Sequence, residues 1–548
     1  MRRTKWSQSG SSATKAISMS VAVSSGLSRR TLLGLGVTAL AAPRLALGQA
    51  ARVLRFVPQA DLAVLDPVFT TAAVTTNHAC MVFDFLYGLD ADFRPQPQMV
   101  DDHEVSQDGL LWTMRLRDGL RFHDGTPVLA RDAVASIQRW GARDMYGQEV
   151  LARAEEITAP DDRTLRFRLK QSFPGLPAAL GKNGASVCPI MPERLAKTPP
   201  TQQITEMVGS GPFRFLADER MVGARVVYER FADYVPRPGA AQSRLAGAKL
   251  AHFDRVVWNI IPDQATAAAA LTAGEVDWLE YTNNDLRSML DRNRALKTRL
   301  TDDLTTTILR FNWLQPPFDN PAIRRALLGM VVQSDFMTAA YGDDPAAWVA
   351  DAGFFTSNSP MASKAGMEAL SSRRDVMKVK RDLAAAGYAG EKVVLLQAED
   401  YPALKALAEV AADELRQVGM NVDVQSGDWG TVSTRRANRG PLDKGGWSIF
   451  VTGLSNALDP GGHLGLRANG AKAWFGWPDS PRIEALRQDW IAAPDVGVQA
   501  ALCADIQRQA FLDVPCIPLG EYRGLTAHRA DLSCFARGAP LFFGVKRS

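Results

Sequence analysis

The stretch FDRVVWNIIPDQATAAAALTAGEVDWLEY, Phe253 to Tyr281, decides how the chain is read. Its first part is rich in β-branched and aromatic residues and ends at Pro262, as a buried strand would. Asp263 is placed to cap a following helix, QATAAAALTA, which should stop at Gly274. VDWLEY then resumes as a strand. Strand, helix and strand in succession predict layered α/β architecture.

The same grammar extends outward. Upstream, RVLRFVP (Arg52–Pro58) and DRTLRFRLK (Asp162–Lys170) read as strands. In the second, Leu165, Phe167 and Leu169 share one face and Arg166 and Arg168 the other. Downstream, RDVMKVKRDLAAAGY predicts a helix ending at Gly387, and EKVVLLQA a strand. PALKALAEVAADELRQVGM carries Leu404, Leu407, Ala411, Leu415 and Val418 at helical spacing, a packing stripe without chemistry. NVDVQSG closes this second unit. Between the units, Asn320 should cap a helix with Pro321 at its first position. The units flank regions of different pattern, so the lobes should interleave in sequence.

The N-terminus carries SRRTLLGLGVTA, Ser28 to Ala39, with Gly34, Gly36 and Ala39 in a loose dinucleotide-loop pattern. No convincing strand precedes it, and no acid follows at the ribose spacing of about 20 residues. The apolar run Leu32–Ala42 is 11 residues long, against about 20 needed to span a bilayer. Basic residues, a short apolar run and small residues at ALGQA make an export signal. The paired Arg29 and Arg30 resemble the twin-arginine type, with cleavage expected after Ala50. That leader holds seven basic residues and no acid, so its loss takes the formal charge from +4 to −3. A nucleic-acid surface is therefore not expected. The length after residue 50 suggests two or three domains of about 150 residues.

Five cysteines, Cys80, Cys188, Cys503, Cys516 and Cys534, form no C-x-x-C pair. They read as small buried residues, although an oxidising compartment would permit a disulfide, for instance within the C-terminal three.

Several blocks resemble one family. Residues 108–137, DGLLWTMRLRDGLRFHDGTPVLARDAVASI, are similar to a segment of extracytoplasmic solute-binding proteins of peptide-type (dipeptide, oligopeptide and nickel) ABC importers, family 5. VGSGPFRF (Val208–Phe215), IIPDQATAAAALTAGEVDWLE, FNWLQPPFDNPAIRRALLGMV, AAAGYAGE and LRQVGMNVDVQSGDWGTV continue the likeness in order. The resemblance implies a periplasmic-binding-protein-like two-lobed clamp (class II) with an extra third domain. Lobe I would comprise 51–94, 200–280 and 516–548, the extra domain 95–199, and lobe III 282–515. The crossings would be Tyr281–Asn284 and the segment near Pro515. The implied role is a periplasmic, monomeric carrier that closes on a peptide-like or other small solute and delivers it to ABC permease subunits in the inner membrane. It implies no catalysis and no cofactor.

In this family loops after strands of both lobes line the cleft. Gln59, Ala60, Asp61 and Leu62 follow the first strand; Ser210 and Gly211 offer close backbone. Asp428-Trp429-Gly430 matches the family's acidic-Trp-Gly motif, making Trp429 a candidate wall for the solute. Trp313 and Trp447 are further candidates. Peptide binders place an aspartate three residues before an Asp-Pro pair, to hold the peptide ammonium. Here Asn456 precedes Asp459-Pro460, and an amide lacks the opposite charge that roughly doubles such a bond. The solute is therefore expected to be oligopeptide-like or of another kind. His463 raises a nickel reading, but the six histidines are scattered and no metal is expected.

The rival readings are an exported hydrolase and a sensor built on the same clamp. HEVSQ has Gln107 where a zinc protease needs its second histidine, S-x-x-K occurs only at Ser12, and no G-x-S-x-G is present. The adjacent acids Asp101-Asp102 and Asp161-Asp162 read as solvated turns.

Overall fold

The structure, a computed structural model, describes residues 52–548 apart from 240, 372, 373, 456, 494 and 539. The export signal and its cleavage position, and Asn456, lie outside the described residues. Among the described residues no helix is long and apolar enough to cross a membrane.

The deciding stretch folds as read. Arg255–Asn259 is a strand, and the Asp263 carboxylate accepts from the Thr266 amide at 2.7 Å to start helix Gln264–Ala273. Gly274 ends that helix at φ 77°, where a Cβ would be strained. Trp278–Leu279 returns as a strand, and both strands run parallel to Val53–Val57 between them. The downstream unit repeats the scheme. Helix Val376–Ala385 leads to strand Lys392–Ala398, helix Pro402–Gln417 and strand Asn421–Gly427, whose two strands pair in parallel. Leu404, Leu407, Ala411, Leu415 and Val418 are all buried. Asn320 caps helix Pro321–Ala326 through the Ala322 amide.

Three larger sheets organise the chain. The first has seven strands in the order Leu296–Leu300, Leu525–Arg529, Trp278–Leu279, Val53–Val57, Arg255–Asn259, Arg225–Arg230 and Phe213–Phe215. The second has six: Trp348–Val349, Cys516–Tyr522, Thr305–Phe311, Ile449–Ser455, Lys392–Ala398 and Asn421–Gly427. The third is an antiparallel four-stranded sheet from Val100–Val105, Leu111–Leu116, Thr164–Leu169 and Ala154–Thr158. In Thr164–Leu169 the alternation is as expected, with Leu165, Phe167 and Leu169 buried and Arg166 and Arg168 exposed. Near the C-terminus, Phe542 closes an aromatic cluster on the first sheet, 4.9 Å from Phe56 and 5.7 Å from Trp258 between ring centres.

Sheet pairing moves both crossings later than the sequence suggested. Residues after Tyr281 remain with the first sheet, because Leu296–Leu300 pairs with Leu525–Arg529. Cys516–Tyr522 belongs to the second sheet, because it pairs with Thr305–Phe311. The chain therefore passes between the sheets at 301–304 and at 523–524, instead of at 281–284 and near 515. The two passages bond each other: the Thr301 amide donates to the Gly524 carbonyl at 2.8 Å, and the Gly524 amide to Thr301 Oγ1 at 2.9 Å. Arg523 adds a bond to the Asp302 carbonyl at 2.8 Å.

Two of the quoted motifs lock onto one another. The His123 amide donates to the Gly209 carbonyl at 2.8 Å, and the His123 ring pairs through Nε2 with the Gly211 carbonyl at 3.0 Å. A Cβ on Gly209 or Gly211 would overlap the backbone of Met81 and Val82. These glycines are needed for close packing. All five cysteines are free thiols, four buried and Cys534 exposed.

Candidate functional site

A cavity of about 1600 Å³ opens where both large sheets present the carboxyl ends of their parallel strands. In α/β sheets this is where ligands settle, because loops leaving those ends diverge and leave a crevice. Its lining includes Pro58–Asp61 after Val53–Val57, Glu280–Asp285 after Trp278–Leu279, and Asp400–Leu404 after Lys392–Ala398. Trp429 follows Asn421–Gly427 in the same way. Helix Met145–Arg153, next to the four-stranded sheet, contributes Tyr146, whose hydroxyl donates to Asp459 at 2.8 Å.

The acidic-Trp-Gly motif has a mechanical explanation. The Asp428 carboxylate accepts from the Thr431 amide at 2.9 Å and caps helix Trp429–Arg435. That fixes Trp429 at the first helical position, where its own amide donates to Asp400 at 2.6 Å. The indole stays half-buried, edge-on to Tyr401 at 6.0 Å. Tyr401 in turn donates to the Gln59 side chain at 3.4 Å, joining the loops of the two sheets. Tyr341 and Tyr522 stack at 4.1 Å on the same wall.

Glu280 is the acid most perturbed by the cavity. It is 5% exposed, and accepts from the Gln59 amide at 2.7 Å and from the Asn77 side chain at 2.9 Å. Burial outweighs these two donors and raises its pKa to about 7. The folded state thus binds this proton more tightly than the unfolded chain. Its stabilising effect is complete below about pH 4.5 and is lost as pH rises through 7. The wild type is expected to lose up to about 3 kcal/mol more than Glu280→Gln between pH 5 and pH 8. Urea unfolding of both proteins at intervals across that range checks it.

The sequence candidates separate into two groups. Ala60, Asp61 and Trp429 line the cavity. Leu62, Ser210, Gly211, Trp313 and Trp447 stand outside that lining. Leu62 and Ser210 are buried, and Gly211 is packed against Met81 and Val82. Trp313 lies under the Arg324 guanidinium at 3.5 Å. Trp447 is fully enclosed, donating from Nε1 to the Arg436 carbonyl at 3.2 Å. His463 is held by its neighbours: Nδ1 accepts from the Leu466 amide at 3.2 Å, so Nε2–H donates to the Phe354 carbonyl at 2.7 Å. Burial lowers its pKa to about 4. Among the described residues no group of three or more His, Cys, Asp or Glu could hold a metal ion.

Sequence reasoning missed Glu280, Tyr401, Tyr146 and Arg436. Tyr401 follows the end of the strand read over EKVVLLQA, so the strand-end rule could have found it, whereas Glu280 was read inside the strand VDWLEY, which ends at Leu279.

Comparison with known proteins agrees with this architecture. Residues 94–466 match the family described as bacterial extracellular solute-binding proteins, family 5 Middle. A probable peptide ABC transporter periplasmic-binding protein of Sinorhizobium fredii is 38% identical over 510 residues, covering 90% of this chain and 94% of that protein. The dipeptide-binding protein of Pseudoalteromonas sp. SM9913, solved with Met-Leu, superposes with a TM-score of 0.75 at 20% identity, over 91% of this chain and all of that one. The agropinic-acid-bound protein AgaA of A. tumefaciens R10 gives a TM-score of 0.76 at 20% identity, over 90% of this chain and 99% of that one. The fold is a two-lobed periplasmic-binding clamp with an added domain, and the chain belongs to the bacterial extracellular solute-binding proteins of family 5.

Proposed function

We propose that this protein captures a peptide-like or other small organic solute outside the cytoplasm and hands it, chemically unchanged, to the permease of an ABC importer. The observation that carries this reading is the cavity of about 1600 Å³ at facing strand ends of two sheets joined, among the described residues, by two short passages. A solute that touches both walls favours the shut form, because only differential contact shifts such an equilibrium. Gln59, Ala60 and Asp61 act from one wall, and Tyr401 and Trp429 from the other. The lobes are the bodies around the first and second sheets, and residues 95–199 form the added domain. Export follows the twin-arginine signal at Arg29-Arg30, with release after Ala50, and the mature carrier works as a monomer in the periplasm. The Sinorhizobium relative, described as a probable peptide ABC transporter periplasmic-binding protein, supports the peptide-like class.

The test uses the mature protein and a panel of free dipeptides, tripeptides, glutathione and agropinic acid. Calorimetry and mass spectrometry should show saturable capture of some members and their recovery intact. Cleavage or other turnover of a captured solute would overturn the carrier reading. So would no capture across the panel together with no small molecule carried through native purification.

A further inference from the structure

Arg436 follows helix Trp429–Arg435 and lines the cavity, yet it is only 6% exposed. Four aromatic rings box its guanidinium: Trp429 at 4.9 Å, Phe450 at 5.1 Å, Phe475 at 5.4 Å and Trp474 at 5.6 Å from carbon to ring centre. Its one side-chain hydrogen bond runs from Nε to the Ser433 carbonyl, at a long 3.5 Å. Neither terminal nitrogen has an acceptor among the described residues, and no carboxylate stands beside it.

That sets Arg436 apart from the other buried arginines. Arg139 is bidentate on Asp66, Arg310 reaches the carbonyls of Gly465 and Pro515, and Arg324 and Arg487 likewise bond backbone carbonyls. In each, terminal donors are spent on the protein. Burial alone lowers the Arg436 pKa to about 10, so the group stays cationic at neutral pH. A guanidinium withdrawn from water costs several kcal/mol unless partners compensate. Cation–π contacts, each about 0.5–2 kcal/mol, offset part of this through the faces of the group. They leave its edge of N–H donors free, and a planar two-oxygen anion matches that edge bidentately.

We infer that Arg436, in its aromatic box, is the receptor for a carboxylate of the solute, which makes carboxylate-bearing solutes the preferred cargo. A single enclosed cation suits one negative charge better than a dianionic phosphate. The flat Trp429 and Trp474 surfaces suit the carbon skeleton beside the acid. This inference rests on the carrier reading above.

The test compares wild type, Arg436→Met and Arg436→Lys against two mixtures: free dipeptides, and the same dipeptides as C-terminal carboxamides. The wild type should retain the acids and bind the carboxamides at least about 10-fold more weakly. Arg436→Met should lose that preference and Arg436→Lys should recover part of it. The carboxamide arm needs no variant, so a misfolded variant does not obscure the answer. Equal affinity of the wild type for acids and carboxamides overturns the inference while leaving the carrier reading intact. Capture of neither mixture, nor of any other panel member, overturns both.

Discussion

Replacing Arg139 with methionine is expected to destabilise the folded protein by about 3–5 kcal/mol, the cost of stranding a buried charge. Arg139 and Asp66 are both almost fully enclosed, and the guanidinium grips the carboxylate at 2.6 and 3.1 Å. The same arginine donates to the Thr198 and Gln202 carbonyls. The Asp66 carboxylate also accepts from the amides of Val68 and Ile204. The pair therefore ties helix Ala130–Gly141 to the segment after the first strand and to the chain entering Phe213–Phe215. Methionine keeps much of the volume but leaves the carboxylate and two carbonyls without their donor in a dry place. Guanidinium unfolding should show the loss, and Asp66→Asn in the Arg139→Met background should recover part of it. A loss under about 1 kcal/mol would show that water reaches the pair.

Trp429→Ala carries the largest expected effect on solute capture. The indole is fixed at the start of its helix by the Asp428 cap and the Asp400 bond, so it loses little freedom when a solute arrives. It also forms one face of the box around Arg436. Truncation removes a flat wall and loosens the guanidinium, and aromatic anchors of this kind are worth about 2 kcal/mol or more. Affinity for the best-retained panel member should fall at least about 30-fold. Unfolding should change little, because the ring is only half-buried. Unchanged affinity would remove Trp429 from the site.

Local elements were legible because their causes are local. Asp263, Gly274 and the Leu404–Val418 stripe act within a few residues, and each appears where its pattern places it. Which sheet a strand joins depends on distant partners. Leu525–Arg529 follows Cys516–Tyr522 after two residues yet pairs elsewhere, so both crossings were misplaced. The site shows the same division. Asp61 and Trp429 adjoin strand ends and line the cavity. Trp447 has equal chemical appeal, but it points behind Arg436 into the core. Arg436 carries no distinguishing signal in the sequence, since only folding gathers Phe450, Trp474 and Phe475 around it.

The mutual bonding of the chain passages at 301–304 and 523–524 has a mechanical consequence. Two separate threads would let the halves swivel and slide, whereas a laminated strip flexes easily across its thin dimension and resists torsion. Opening should thereby follow one arc, with the opposed walls returning to the same alignment on closure.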